Sequence, residues 1–366
     1  MKIQMKTFTV TIHNSTNYGA WLQAFALQNT IESLGHENLI FDYVYETSDT
    51  KQSFRSARQL AVMLAYRVIS LFRRSKIRKR RQAFRHFAQE HLRMSEPYRS
   101  MEELRSNPPE AEVYITGSDQ VWNFLQREPF MESRFLDFGP ASVKRVSYAA
   151  SVANLNYTDE QKAWVREKLS RFDAISLREK SAQEYISGII GRRTELVMDP
   201  VFLPAQSVWE KLAQSRAINE PYILIYQVQS CPGMDEVIAE LKRKTGFKTV
   251  AILPAAITWV HTDIRLFDVS PEEFVGLFRG AEIVVSASFH GTAFGLIFGK
   301  PTYAMSRTKG PSRVKDLMTL CGVSHFCIED TRELPEPDTF DAGAVESVIE
   351  AERERSLGYL RKCLDK

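Results

Sequence analysis

The run Ala281-Glu282-Ile283-Val284-Val285-Ser286-Ala287 constrains this chain more than any other stretch. It is short and β-branched at its centre, which reads as a buried strand. Ala293 to Phe298 then reads as a short helix, stopped by Gly299 and Pro301. Ser288-Phe289-His290-Gly291-Thr292 makes the turn between them. A strand that turns into a helix through this segment sets the His290 imidazole at the carboxyl edge of a sheet. It also sets it beside the free N–H groups of a helix N-terminus, where phosphates and carboxylates bind. The alternative is a hydrogen-bonded structural histidine.

The same alternation recurs along the chain. In the first half Thr7 to Ile12, Asn38 to Tyr43, Val113 to Thr116, Arg145 to Ala150, Ala174 to Leu177 and Leu196 to Met198 read as strands. A helix of about four turns runs to Leu34 with Gly35 as its C-terminal cap, and residues 52–93 read as helical. Asp199-Pro200-Val201-Phe202-Leu203-Pro204 interrupts the pattern, which restarts at the strand Tyr222 to Val228. Thr249 to Leu253 and Thr302 to Met305 are further strands, with helices over Met234 to Lys244 and Ser312 to Leu320. Ser270-Pro271-Glu272-Glu273 carries three agreeing helix-start signals, and Asp341 caps a long C-terminal helix. The reading is an α/β protein of doubly wound parallel sheets: 1–204 as one Rossmann-like domain with a basic helical insertion at 52–93, 205–340 as a second, and 341–366 as a helix that can cross back to the first.

A chain of 366 residues suits two domains rather than one core. Cys231, Cys321, Cys327 and Cys363 form no CxxC pair and no metal-ligand spacing with a histidine, so reduced thiols in a cytoplasmic protein are expected, with no metal and no cofactor. The N-terminus lacks a signal peptide's apolar core, and no stretch is long enough to span a membrane. Charge is distributed unevenly. Residues 50–89 hold twelve of the 48 lysines and arginines and none of the 45 acids, so the net charge of +3 hides a remainder nine charges negative. Without a recognisable fold or aromatic platform, nucleic acid is a weak reading of that block. The apolar run Leu60 to Phe72, followed by Arg73 to Arg81, could instead lie on an anionic membrane, giving a peripheral contact through residues 60–85. The alternative is a core-packed helix followed by a solvated one.

Four more segments could carry chemistry. Asn17-Tyr18-Gly19-Ala20 closes the first strand and opens a helix, with backbone N–H groups toward a ligand or simply a tight turn fixed by Gly19. It lacks the GxGxxG fingerprint, which argues against a nicotinamide cofactor. In Gly117-Ser118-Asp119-Gln120-Val121-Trp122-Asn123, Asp119 can accept a proton from a sugar hydroxyl and Trp122 can stack on a sugar ring. A buried Trp beside an N-capping Asp explains the segment equally well. Arg178 stands at a strand end, where a guanidinium can hold a carboxylate or phosphate. Lys309 and Arg313 flank a helix start beside the His290 edge and form a second anion site, or else a solvated surface.

Taken in order, Asn17 to Gln28, Thr116 to Asn123, Tyr148-Ala149-Ala150-Ser151, Ser176 to Glu179, Asp199-Pro200 and Ser288 to Thr292 resemble the polysaccharide pyruvyl transferase family. The resemblance implies a fold similar to GT-B glycosyltransferases, two Rossmann-like domains facing a cleft with a C-terminal helix. It implies phosphoenolpyruvate as donor and a sugar of a cell-surface polysaccharide, or its lipid-linked precursor, as acceptor. On that basis His290 serves as acid and Asp119 as base. Arg178, Ser288, Gly291, Thr292, Lys309 and Arg313 face the donor, while Asn17, Tyr18, Gly19, Ser118 and Trp122 face the acceptor. Some members carry Arg two residues before the motif histidine, where this chain has Ser288, so Lys309 or Arg313 must replace that cation. Two other readings fit the same fold: a glycosyltransferase holding a nucleotide-sugar diphosphate on Lys309 and Arg313, and a non-catalytic glycan-binding protein.

Overall fold

The computed structural model describes residues 4–13, 16–44, 74–124, 130–152, 155–228, 230–253, 260–305 and 312–365. Lys309 and residues 52–73 of the expected helical insertion lie outside them. In the first half β1 (Lys6–Val10), β2 (Glu37–Ile40), β3 (Val113–Thr116) and β4 (Lys144–Ser147) form a parallel sheet in the order β2-β1-β3-β4. Parallel bridges from Val146 to Ala174 and from Ala150 to Leu177 continue the pairing toward β5 (Ser176–Leu177) and its neighbour β6 (Glu195–Leu196). The second half holds β7 (Tyr222–Tyr226), β8 (Lys248–Ile252), β9 (Ile264–Leu266), β10 (Ile283–Ser286), β11 (Thr302–Met305) and β12 (Cys327–Ile328). They are all parallel, in the order β9-β8-β7-β10-β11-β12. Strand order reverses between β1 and β3 in one half and between β7 and β10 in the other. Ligands of doubly wound sheets bind at the carboxyl ends beside such reversals.

Strand and helix limits shift from the sequence reading where packing decides them. The expected strand ends early as β2, its last residue Ile40 also bridging Met94, and Tyr43 beyond it bridges Tyr98. The short edge strands β9 and β12 carry too few residues to show a period. Helix formation after β10 begins at Phe289, ahead of the expected Ala293, so His290 lies inside the first helical turn.

Six helices matter for the site: α1 (Tyr18–Ser33), α2 (Arg74–His91), α3 (Pro271–Gly280), α4 (Phe289–Ile297), α5 (Arg313–Leu320) and α6 (Ala342–Leu364). Twelve of the sixteen residues of α1 are buried, because its apolar side chains point all round and both faces are covered. Leu27 and Ile31 share a core with Val113, Ile115 and Val146 of the first sheet, whereas Tyr18, Trp21 and Leu22 belong to the core of the second half. The Tyr18 ring stacks on Phe274 of α3 at 4.5 Å, and its hydroxyl donates to the Val269 carbonyl at 2.9 Å. Helix α3 starts with the full capping box read from sequence, Ser270 and Glu273 reciprocally bonded. Phe84 and Phe87 carry α2 into this same junction. Helix α6 returns to the first half: Tyr359 donates to the Ser147 carbonyl at 2.9 Å, and the Met198 amide donates to Ser356 Oγ at 3.0 Å. Each fully buried aromatic at the junction contributes about 1.5–3 kcal/mol, so the halves are held by a shared apolar core. Among the described residues no helix is long and apolar enough to cross a membrane.

Candidate active site

Arg178 emerges from β5 into the junction with 1% of its side chain exposed. Three carboxylates surround it. Nε donates to Glu179 Oε1 at 2.8 Å, Nη1 donates to Asp199 Oδ2 at 2.5 Å, and Nη2 lies 3.5 Å from Asp119 Oδ1. Burial pulls the guanidinium pKa down, but Glu179, Asp199 and Asp119 reverse this and hold it above its ordinary value. Asp119 reaches its place through a left-handed backbone, φ 71°, a conformation that Asp tolerates better than most residues. Its carbonyl accepts the Val121 and Ser151 amides, which fixes that turn.

Asp199 is fully buried, where an unpaired carboxylate would be very costly. Oδ1 accepts the Val201 amide at 3.1 Å, and Oδ2 accepts the Ser118 hydroxyl at 3.0 Å besides Arg178. Burial pushes its pKa up, but His290, Arg178 and the Val201 amide outweigh burial and hold it well below the usual carboxylate range.

His290 approaches from the second half. Its Nε2 stands 3.7 Å from Asp199 Oδ1, beyond hydrogen-bond reach, and the ring lies against the first turn of α1. A Cβ on Gly19 would fall 2.0 Å from His290 Nδ1, so only glycine fits there. The Ser288 hydroxyl does not cap α4, whose first bonded amide is that of Thr292 to the Ser288 carbonyl at 2.9 Å. The amides of Phe289, His290 and Gly291 are therefore without helical partners. Phe289 lies under two cations, Arg178 at 4.7 Å and Arg313 at 5.9 Å from its centroid. Burial and the nearby Arg178 both lower the Arg313 pKa, with Glu179 only partly offsetting them at 4.0 Å.

Three buried polar atoms in this cluster have no hydrogen-bond partner: Arg178 Nη2, His290 Nε2 and Glu179 Oε2. Buried polar groups are nearly always bonded, so a group of orphans at one junction marks where a polar ligand completes the structure. A cavity of about 300 Å³ borders the cluster through Arg178, Asp199, Phe289 and Arg313.

A family model of polysaccharide pyruvyl transferases matches residues 17–309. The chain belongs to that family. A search of curated proteins finds no match. Among solved structures, the UDP-GlcNAc 2-epimerase of Neisseria meningitidis bound to UDP-GlcNAc is 10% identical over 98% of this chain and 99% of its own, with a TM-score of 0.50. The spinosyn rhamnosyltransferase SpnG is 13% identical over 98% and 99%, with a TM-score of 0.47. The fold of this family member is GT-B.

Of the residues singled out in the sequence, the fold brings Asp119, Arg178, His290, Ser288, Arg313 and Gly19 together. Others are engaged within the protein. Trp122 is fully buried, stacked on Phe135 and donating Nε1–H to the Arg134 carbonyl, so no face is open to a sugar. Tyr18 is spent on Phe274 and Val269, and Ser118 on Asp199. Thr292 is fully buried with its hydroxyl on the Ser288 carbonyl. Gly291 serves close packing: a Cβ would fall 2.2 Å from Ser286 Oγ. Asn17 caps its own helix, accepting the Gly19 amide at 3.0 Å. Lys309 is outside the described residues. Arg178, matched by three acids, offers one N–H rather than a free charge. Sequence reasoning missed Asp199 and Glu179. The first looked like a domain-boundary Asp-Pro, and the second was masked by the arginine before it.

Proposed function

We propose that this family member transfers the pyruvyl group of phosphoenolpyruvate to a pair of hydroxyls on a glycan sugar, forming a ketal and releasing phosphate. The observation that carries this reading is the orphaned trio, Arg178 Nη2, His290 Nε2 and Glu179 Oε2, beside the uncapped start of α4. Two orphan donors and three free amides suit a small polyanion, and an orphan carboxylate oxygen suits a hydroxyl.

The donor phosphate lies on the amides of Phe289, His290 and Gly291, with Arg313 beside it and its carboxylate on the Arg178 N–H. His290 delivers a proton to the methylene carbon, which becomes the methyl group. A sugar oxygen bonds to the adjacent carbon as its proton passes to Asp119. The carbon–oxygen bond to phosphate then breaks, and the second hydroxyl closes the ketal. Of the two hydroxyl protons, one restores His290 and the other leaves with phosphate.

Calorimetric titration of phosphoenolpyruvate into the protein and its His290→Ala variant tests the donor, with a uridine nucleotide as control. Donor binding that is lost in the variant supports the reading. Nucleotide binding without phosphoenolpyruvate binding replaces it with glycosyl transfer.

A further inference from the structure

Helix α2 has two unlike faces. Arg80, Phe84 and Phe87 are buried toward the junction. Phe84 meets Tyr18 at 5.0 Å, Phe87 meets Phe25 at 6.0 Å, and the Arg80 guanidinium covers the Tyr18 ring at 4.9 Å. On the other side Arg78, Lys79, Arg81 and Arg85 are exposed. Arg78, Arg81 and Arg85 follow the helical repeat along one stripe, with Lys79 beside it. No acid occurs in the helix before Glu90.

Those four cations make no ion pair among the described residues, and they are clustered on one helix. Many surface cations elsewhere are matched, Lys162 by Asp159, Lys168 by Asp137, Lys242 by Asp263 and Arg243 by Glu240, and unpaired ones among the described residues, such as Arg99, Lys211 and Lys362, stand apart from one another in the sequence. Helix α6 neutralises itself through Glu350–Arg353 and Glu352–Arg355. The face lies within residues 50–89, outside which the chain is nine charges negative, so positive potential is concentrated in one place. The helix that carries this face reaches the candidate site by its inner side. Arg80, on the inner side of the same helix, donates to the Thr16 carbonyl, in the turn that leads to Asn17 and Gly19.

We propose that the Arg78, Lys79, Arg81 and Arg85 face docks on an anionic phospholipid surface and so holds the candidate site toward acceptors carried there. The docking stands on the charge pattern alone, and its link to the acceptor rests on the pyruvyl-transfer reading. Each cation at such a surface raises partition by about fivefold, so four together give several hundredfold at low salt. RNA offers the same charge, but Phe84 and Phe87 point inward and give this face no base-stacking platform.

The test is sedimentation of the full chain with phosphatidylcholine vesicles, with and without phosphatidylglycerol, at about 0.05 M and about 0.5 M salt. The wild type is expected to bind only the anionic vesicles and to be released by salt. The variant Arg78→Glu/Lys79→Glu/Arg81→Glu/Arg85→Glu is expected to bind at least about a hundredfold more weakly. Its far-UV circular dichroism and melting temperature should be close to those of the wild type, which reports that it is folded. Equal binding to neutral vesicles, undiminished binding by the variant, no wild-type binding, or displacement from vesicles by RNA each overturns the proposal. Vesicle binding is read without donor, so a failed donor titration leaves this result standing on its own.

Discussion

The two strand–helix turns at the junction, one from each half, are built alike and finished differently. After β1 the chain spends Asn17 on its own helix, so the Gly19 amide at the start of α1 is capped from within. After β10 it places Ser288 at the same position without using the hydroxyl, and α4 starts with its amides open. Charge divides the same way. The first half contributes the carboxylates of Asp119, Glu179 and Asp199 with Arg178 matched among them, while the second contributes His290 and Arg313. A closed helix start among carboxylates suits hydroxyls and protons, and an open one among cations suits an anion. On the pyruvyl-transfer reading, the difference assigns the donor anion to the open turn and the hydroxyls to the closed one.

The largest expected effect comes from removing the group on which the open turn depends. His290→Gln keeps the ring's approximate volume but cannot deliver a proton at the same place. It should lower kcat/KM for phosphoenolpyruvate by about a hundred- to ten-thousandfold in a phosphate-release assay. Near-normal turnover would remove His290 as the acid and with it the contrast between the turns.

Asp199→Asn tests the contact through which the halves touch. It leaves Arg178 and His290 without their shared buried anion, which should cost about 3–5 kcal/mol in denaturant unfolding at neutral pH. The pH dependence has a definite sign. The folded pKa of Asp199 is depressed, so its contribution is fully present above the unfolded value of about 4 and is lost as pH falls toward the folded value. Wild type and variant should therefore converge below about pH 4. A constant gap through that range would mean that packing, not charge, accounts for the loss.

How much of this was readable beforehand depends on whether the signal was local. The β-branched run of β10, the Ser270 capping box and the Asp341 cap are encoded within a few residues, and each formed as read. The start of α4 was placed too late because Gly291 and Thr292 are poor helix formers. Packing of Gly291 onto Ser286 and Tyr226 overrides that preference. Asp199 shows the other kind of failure. Its partners Arg178 and Ser118 lie 21 and 81 residues away, and no period in the sequence connects them. Trp122 failed for a related reason, since an aromatic residue beside a turn carries no mark of which side it packs on.

Gly19→Ala attacks the contact between the two turns directly. A methyl group 2.0 Å from His290 Nδ1 must push the ring or separate the halves. Turnover should fall by about tenfold or more while the melting temperature shifts only modestly, since the displaced element is one side chain at a surface of contact. Ser288→Asp is milder and aims at the open turn alone. Its carboxylate would cap α4 and occupy the anion's place, raising the donor KM about tenfold with stability unchanged or slightly higher.

The smallest effect should come from Asn17→Ala, the mirror of that change on the closed turn. Its side chain accepts the Gly19 amide at 3.0 Å, so its removal leaves one helix-start donor to water. The cost should be about 1 kcal/mol in unfolding free energy. The donor KM should not move, because the cap serves its own helix and the anion sits on the other. If Asn17→Ala instead raises the donor KM as much as Ser288→Asp does, both helix starts face the same anion. The division of labour between the halves would then be lost, and the donor would have to be placed across the junction rather than on α4.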